Sequence, residues 1–216
     1  MCSSPAIQCR GIGKRFSRDD IVPYQGLRTK FGDLFRKGVR TSEPDGVVWA
    51  LRDVNFKLPR GTILGVLGGN GSGKSELLKI LARVTKPTEG HTVVTGSVSA
   101  ILNLAAMLNP ELTGRENIFQ TGTLLRLRRE TITRRFDEIA EFSGVEPHLD
   151  SLVRGYSAGM QLRLAFAVLA HLESEVVLID EALSVGDEEF RERCRQRIRQ
   201  MARAGTTIVM SATSCG

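Results

Sequence analysis

One octet constrains the fold of this chain more than any other feature: residues 68–75 read GGNGSGKS. The octet matches the phosphate-loop pattern, in which a glycine and four residues of any type are followed by glycine, lysine and serine. It follows the apolar run TILGVLG, which is typical of a buried parallel strand, and helical spacing begins at Lys74 with KSELLKILARV. The sequence therefore predicts a strand, a phosphate-binding loop and a helix in that order.

The chemistry of the octet favours a nucleoside triphosphate as ligand. Glycines allow backbone N–H groups to close around phosphate oxygens, and the N-terminus of the following helix adds a favourable partial charge. We expect Lys74 to reach the β- and γ-phosphates and the Ser75 hydroxyl to ligate Mg²⁺. The predicted nucleotide-binding residues in this loop are Gly68, Asn70, Gly71, Ser72, Gly73, Lys74 and Ser75.

Two further segments carry residue types that suit phosphate chemistry. The apolar run VVLI is followed by Asp180, which can hold magnesium, and by Glu181, which can orient or deprotonate an attacking water. In the segment YSAGMQLRLAFA, Ser157 and Gly159 precede a predicted helix, so a hydroxyl and backbone amides can meet a second phosphate. The alternative for Ser157 is a plain helix N-cap.

The pattern of apolar residues predicts an α/β domain. Apolar strands alternate with amphipathic helices, which favours a largely parallel sheet, and a β-rich stretch broken by Gly96 follows the first helix. A mostly helical insertion is expected between Thr113 and Ser151. Its apolar face is predicted to contain Ile118, Leu124, Leu125, Ile132, Phe136, Ile139 and Phe142. With 216 residues, the chain suits a single domain.

Charge and cysteine content narrow the class of protein less sharply. The net charge of +6 suits phosphate ligands, anionic lipid surfaces or nucleic acid and does not choose among them. The four cysteines are Cys2, Cys9, Cys194 and Cys215. Because none of them has CxxC spacing, reduced thiols are favoured over a metal site. No apolar run is long enough to span a membrane.

The basic segment at about residues 14–40 differs from the rest of the chain. Leu27, Phe31, Leu34 and Phe35 share one helical face within it. Two interpretations stay open: a surface helix that packs on the domain, or an amphipathic element that faces lipid headgroups.

Taken together, the three phosphate-directed segments resemble the ATP-binding subunit of an ABC transporter. In that family they are the Walker A loop at residues 68–75, the signature loop at 156–161 and the Walker B strand at 176–180, while Glu181 matches the catalytic glutamate and residues 184–187 the D-loop. The resemblance implies a P-loop NTPase core with a mostly parallel sheet, an antiparallel β subdomain and an inserted helical subdomain at about 104–160. ATP and Mg²⁺ are the implied cofactors.

The resemblance also implies a head-to-tail homodimer. Each ATP would lie between the Walker A loop of one chain and Ser157 and Gly159 of the other. Phe16 falls where the family places an aromatic residue against adenine, and the alternative is a core phenylalanine at a strand end.

Three stretches narrow the resemblance to exporters of O-antigen, capsule or teichoic acid: NPELTGREN, YSAGMQLRLAFA and IDEALSVGDEEFRERC. Members of that subfamily also carry an insertion between the first strands, which matches residues 14–40. The implied function is ATP hydrolysis that powers export of a lipid-linked polysaccharide through a separate integral-membrane permease. The implied location is peripheral, at the cytoplasmic face of the inner membrane.

Several positions depart from the family pattern. Glu76 replaces a threonine that hydrogen-bonds the α-phosphate; facing the nucleotide it would cost on the order of 1 to 3 kcal/mol, and turned outward toward Lys79 it would be harmless. Thr213 takes the place of the switch histidine, so it can donate a hydrogen bond but cannot carry the charge of an imidazole. Leu104 takes the place of the usual glutamine. The chain also stops at Gly216, earlier than family members do, so we expect a truncated form.

Two other functions were weighed. An ATP-gated, dimerising interaction protein with weak or no hydrolysis is favoured by Glu76 and Thr213 and opposed by Glu181. A DNA-repair or chromosome-organising ATPase would suit the basic charge, but such proteins carry a long coiled coil where this chain has only a compact insertion between Ser75 and Tyr156. We therefore expect no nucleic-acid partner.

Overall fold

The computed structural model describes residues 4–17, 47–180 and 187–213. Strands and helices alternate along the chain. The strands are β1 (Ile7–Phe16), β2 (Val48–Leu58), β3 (Ile63–Gly68), β4 (Glu89–Val94), β5 (Val98–Ile101), β6 (Val176–Ile179) and β7 (Thr207–Thr213). The α-helices are α1 (Lys74–Leu81), α2 (Gly114–Leu124), α3 (Arg129–Arg134), α4 (Phe136–Ser143), α5 (Ala158–Leu169) and α6 (Glu188–Arg203).

The strands form two sheets, as the sequence pattern predicts. One is parallel, with the order β3-β7-β6-β5, and the other is antiparallel, with the order β2-β1-β4. The parallel pairing explains why the sequence of β6 is apolar throughout: all of its residues are buried, because both faces of the strand are covered. The predicted fold class, with a parallel core and an antiparallel β subdomain, is confirmed.

Register in the parallel sheet brings several strand ends together. Gly68 at the end of β3 pairs with Thr213 at the end of β7, and Ile179 at the end of β6 pairs with Met210. Since parallel strands end at the same edge, the residues that follow β3 and β6 meet there. This edge positions the predicted phosphate loop.

Two apolar clusters hold the domain together. One contains α1, β1 and parts of β6 and β7, with Leu78 and Ile80 fully buried. The other joins the helical region to the sheet through Ile118, Phe166 and Ile179. The helix that follows the phosphate loop therefore packs in a different cluster from α5, the helix that follows Ser157.

The helical region shows the predicted apolar face with one exception. Leu124 is 65% exposed at the last residue of α2, so its inclusion in that face is wrong. The helix ends there, because the next residues turn through Arg126 at φ 66°. Leu125, the neighbour of Leu124, takes the buried position.

Helix ends follow the expected capping chemistry. Thr113 and Glu116 form a capping box at the start of α2, and the Asp187 carboxylate accepts from the backbone N–H of Phe190 at the start of α6. Within the described ranges, no helix has both the length and the apolar content needed to cross a membrane. Most of the basic segment at 14–40 lies outside the described residues.

Candidate nucleotide-binding site

The loop between β3 and α1 encloses the Lys74 ammonium group. The Nζ of Lys74 donates to the carbonyl oxygens of Gly68, at 2.7 Å, and Gly69, at 2.9 Å, and the residue is only 6% exposed. The backbone of the loop thus curves around its own lysine. A lysine enclosed by a glycine-rich loop at the start of a helix is the arrangement expected for binding phosphate oxygens.

Gly73 approaches the antiparallel sheet closely. Its φ is 88°, in the left-handed region that favours glycine, and it directly precedes α1. A methyl group built on its Cα would overlap the backbone carbonyl oxygen of Ala50 and lie 3.0 Å from Cδ2 of Leu51. The start of β2 therefore requires glycine at this point of the octet.

The remaining loop residues are open to solvent. Asn70, Gly71, Ser72 and Ser75 are exposed, and Gly71 has a φ of 79° with open space around its Cα. The Ser75 hydroxyl stands in the first turn of α1. A ligand can therefore contact these exposed positions directly, whereas the Lys74 side chain is buried within the loop.

Glu76 is turned along α1 and away from solvent. Its Oε1 accepts from the Thr85 hydroxyl at 3.0 Å, and its Oε2 lies 3.4 Å from the Nζ of Lys79. The predicted outward orientation is therefore only partly correct. Glu76 pairs with Lys79, as expected, but its side chain is only 11% exposed to solvent. The Thr85 hydroxyl, which lies beyond the end of α1, helps to hold the carboxylate in this orientation.

Asp180 lies at the shared edge of the parallel sheet. Its backbone N–H donates to the carbonyl of Ile101, and its Oδ1 accepts from the hydroxyl of Ser211 on β7. The carboxylate is thereby oriented by the neighbouring strand. Sequence reasoning did not identify Ser211. The signal that points to it is its place in the segment MSAT of β7, the parallel strand next to β6.

Phe16 ends β1 beside the start of β2. It pairs in register with Val48, two residues before the Ala50 carbonyl that touches Gly73, and the Nζ of Lys14 lies 5.2 Å from its ring centroid. The half-buried ring is therefore at the strand end nearest the phosphate loop. Trp49 lies next to Val48, and the guanidinium groups of Arg15 and Arg52 lie over its ring at 6.0 and 5.4 Å.

Ser157 is the N-cap of α5, as the plainer of its two interpretations predicts. Its Oγ accepts from the backbone N–H of Met160 at 3.2 Å, and the residue is exposed. Behind it, Tyr156 is buried and donates its hydroxyl to the His148 carbonyl at 2.6 Å. Burial raises the pKa of Tyr156 above its usual value. Gly159 follows in the first turn and is partly exposed.

The structure gathers some predicted site residues and separates others. The octet, Asp180 and the backbone of Thr213 meet at the carboxyl edge of the parallel sheet. Ser157 and Gly159 belong to a helix that packs in the other apolar cluster. Glu181 and residues 184–186 lie outside the described residues.

The donors at the sheet edge suit magnesium by their chemistry. The Ser75 hydroxyl and the Asp180 carboxylate are hard oxygen ligands, the kind that Mg²⁺ prefers. Among the described residues, no group of three or more His, Cys, Asp or Glu side chains could hold a metal ion alone.

A family model described as ABC transporter matches residues 51–184. The chain belongs to the ABC transporter family. The O-antigen export system ATP-binding protein RfbB of Myxococcus xanthus is 39% identical over 217 residues, which cover 99% of this chain and 49% of that protein. RfbB of Klebsiella pneumoniae is 42% identical over 160 residues, with 74% of this chain and 65% of that protein covered. The teichoic acids export ATP-binding protein TagH of Bacillus cereus is 39% identical, with 86% and 33% covered.

This ABC domain spans about half the length of the M. xanthus relative that it matches. Among solved structures, a dimeric ATP-binding cassette in a post-hydrolysis state bound to ADP and Pi superposes with a TM-score of 0.71 at 19% identity, covering 95% of this chain and 87% of that one. At this identity the likeness shows the fold. The P-loop NTPase fold predicted from the sequence is confirmed.

One departure of this ABC domain from the family pattern lies in the helical region. Leu104, at the place of the usual glutamine, is 4% exposed and packs in the core of the helical region. Asn103 beside it is exposed, and its side-chain oxygen accepts from the backbone N–H of Ala106 at 3.2 Å. The side chain at the place of the usual glutamine is therefore buried and apolar.

Sequence reasoning missed a link between α5 and the start of α6. The Arg163 guanidinium on α5 is hydrogen-bonded to the Asp187 carboxylate, and it also lies 5.2 Å from the ring centroid of Phe190 on α6. Spacing along the chain gives no sign of this pair, because the two residues are 24 positions apart.

Proposed function

We propose that this chain is an ATP-binding and ATP-hydrolysing subunit that powers export of a lipid-linked polysaccharide through a separate membrane subunit. The observation that carries the proposal is the convergence of three parts at one sheet edge: the loop that encloses Lys74, the carboxylate of Asp180, and the end of β7 at Thr213. Relatives named as O-antigen and teichoic acid export ATP-binding proteins support the choice of cargo class.

Each part of the edge has a role in this proposal. Lys74 and the backbone N–H groups of residues 68–73 bind the β- and γ-phosphates and offset their charge. Ser75 and Asp180 would hold Mg²⁺, which supplies further positive charge to the phosphates when bound. Phe16 stacks on the adenine from the end of β1, a contact worth about 1 kcal/mol.

Hydrolysis requires a group that orients or deprotonates the attacking water. We assign this role to Glu181, since it follows the anchored Asp180 directly in the chain. Thr213 stands where the family has its switch histidine and cannot supply an imidazolium charge, so slow turnover is expected. Glu76 takes no part in nucleotide binding here, because Thr85 and Lys79 hold its carboxylate.

Two copies of the chain would complete the site. Ser157 is exposed and Gly159 partly exposed at the start of α5, and neither reaches the phosphate loop of its own chain through a hydrogen bond between described residues. In a head-to-tail homodimer they would meet the γ-phosphate held by the partner's loop. The assembly would sit peripherally at the cytoplasmic face of the inner membrane, against a permease.

Steady-state phosphate release with Mg-ATP tests the proposal. The wild-type chain is compared with Lys74→Ala, which removes the enclosed cation, and with Glu181→Gln, which removes the proposed base but keeps the nucleotide contacts. Trp49→Phe serves as a control for a substitution near the loop. We expect turnover in the wild type and the control, and none in the other two variants.

The oligomeric state separates hydrolysis from mere nucleotide gating. With ATP, Glu181→Gln should form a dimer that Ser157→Arg prevents, as measured by light scattering after size exclusion. An ATP-dependent dimer without phosphate release from the wild type would replace the ATPase with an ATP-gated interaction protein. Phosphate release that survives Lys74→Ala would refute the assignment of the site.

A further inference from the structure

A second cleft, away from the phosphate loop, lies between α4, the end of α5 and α6. Its volume is about 240 Å³, and it is lined by Phe142, His171, Arg193, Gln196, Arg197 and Gln200. The volume falls slightly below the range of roughly 300 to 1,000 Å³ that small-molecule pockets occupy, so the cleft suits a small ligand and not a peptide helix.

Three arginines of α6 pair with glutamates of the same helix. Arg191 pairs with Glu188 at 2.6 Å, and Arg199 pairs with Glu192 at 3.6 Å. Arg195 pairs with both of these glutamates. Arg193 and Arg197, which line the cleft, form no ion pair with a carboxylate among the described residues. The cleft therefore presents two arginine charges that no carboxylate of α6 pairs with.

Other contacts fix the two cleft arginines in place. The Nη2 of Arg193 lies 3.4 Å from the Glu141 carbonyl oxygen, and its guanidinium stands 5.1 Å from the ring centroid of Phe142. The Nε of Arg197 donates to the Ala170 carbonyl at 2.7 Å. Two guanidinium groups anchored by neutral partners keep their charge available for an anion.

The charges beside the two cleft arginines are of both signs, and the positive potential of the cleft comes from Arg193 and Arg197 themselves. Arg135 donates to the His171 carbonyl at 3.3 Å and pairs with the exposed Glu173. Burial and the nearby Arg135 lower the pKa of Arg197, as expected for like charges crowded together. The carboxylate of Glu138 lies 3.9 Å from the His171 ring and is largely exposed, so it offsets this potential only partly.

We propose that this cleft binds a small molecule bearing a phosphate dianion, which Arg193 and Arg197 hold while the amides of Gln196 and Gln200 contact its organic part. Arginine is suited to this task because its planar fork matches two phosphate oxygens. The site is separate from the phosphate loop and does not depend on the chain being an ATPase.

Nuclear magnetic resonance of the isotope-labelled chain can locate the binding directly. The arginine Nε–H and backbone amide signals are followed during titration with inorganic phosphate, with glycerol 1-phosphate, and with sodium chloride at equal ionic strength. We expect saturable shifts of Arg193 and Arg197 with the phosphates and not with chloride. Tighter binding of the ester would identify a phosphate ester as the ligand, and equal binding would identify free phosphate.

Matched variants on the same helix test the assignment. Arg193→Gln and Arg199→Gln each remove one charge, but only the first lies in the cleft. Arg193→Gln should weaken phosphate binding roughly tenfold or more, as expected for one charge-assisted hydrogen bond, while Arg199→Gln should change it by less than about twofold. Should Arg193→Gln fail to fold, Gln196→Glu places a repelling carboxylate at an exposed cleft position and should have the same effect.

Three results would overturn the proposal. One is a response to phosphate that chloride reproduces at equal ionic strength. Another is a set of shifts confined to residues 68–75. The third is equal weakening by Arg193→Gln and Arg199→Gln.

Discussion

Alanine at three glycines of the phosphate loop should have three different costs. Gly69 has open space around its Cα and a φ outside the left-handed region, Gly71 has open space and a φ of 79°, and Gly73 has a φ of 88° together with the overlap against the Ala50 carbonyl. The series therefore separates the cost of backbone strain from the cost of the steric clash.

The expected magnitudes follow from these differences. A left-handed conformation costs an L-residue about 1 to 2 kcal/mol. A Gly→Ala change also lowers the conformational entropy of the unfolded chain, which stabilises the folded state by about 0.4 to 1 kcal/mol. Gly69→Ala should thus be neutral or slightly stabilising, and Gly71→Ala should lose up to about 1.5 kcal/mol. Gly73→Ala should lose a further 1 to 3 kcal/mol, roughly the cost of overpacking, because Ala50 or the loop must move.

Urea unfolding of the three variants measures these free energies, and ATP binding measured on the same samples reports the shape of the loop. The difference between the Gly73 and Gly71 variants corresponds to roughly 2 to 12 °C in Tm for a chain of this size. Gly73→Ala should also bind ATP most weakly of the three. Equal free energies of unfolding for Gly71→Ala and Gly73→Ala would refute the contact between the loop and β2.

Three further predictions concern ionisable groups. Glu76→Gln should lower the free energy of unfolding by about 1 to 2 kcal/mol, because an amide NH₂ would replace an acceptor that faces the Thr85 hydroxyl and the Lys79 ammonium, and Thr85→Val should largely abolish this difference in a double-mutant cycle. Burial lowers the pKa of His171, whose neutral ring donates from Nδ1 to the Ala167 carbonyl; the unfolded chain gains a proton first, so stability should fall as pH drops below about 6.5, and His171→Gln should flatten that dependence in urea titrations. Burial raises the pKa of the Cys194 thiol to about 12, so iodoacetamide at pH 8 should label its peptide far more slowly in the folded chain than in urea, and equal rates would contradict its burial.

Local sequence patterns predicted the strands and helices because each pattern reports on one element. The octet at residues 68–75, the apolar run before Asp180 and the 3.6-residue period of α6 depend on neighbours along the chain. The prediction that Leu124 lies on the apolar face was wrong because periodicity alone does not place a helix end to within one residue. The face of a helix changes where the backbone turns, and Arg126 sets that turn through its positive φ.

Contacts between distant segments were not predictable in the same way. Ser211 donates a hydrogen bond to Asp180, and Thr85 donates one to Glu76. The spacing of these residues along the chain matches no helix or strand period, so the sequence gives no sign that they are in contact. The requirement for glycine at position 73 was predicted from the phosphate-loop motif, but the carbonyl of Ala50 that enforces it comes from another sheet. These contacts depend on how the two sheets pack.

The central claim is that the loop enclosing Lys74 is the nucleotide site of this chain. Isothermal titration of the folded chain with ATP and Mg²⁺, beside the Lys74→Ala variant, tests it most directly. The account predicts saturable binding of one ATP per chain, weakened at least about tenfold when the ammonium is removed. Absence of saturable binding by the folded wild type, or equal affinity in Lys74→Ala, would contradict it.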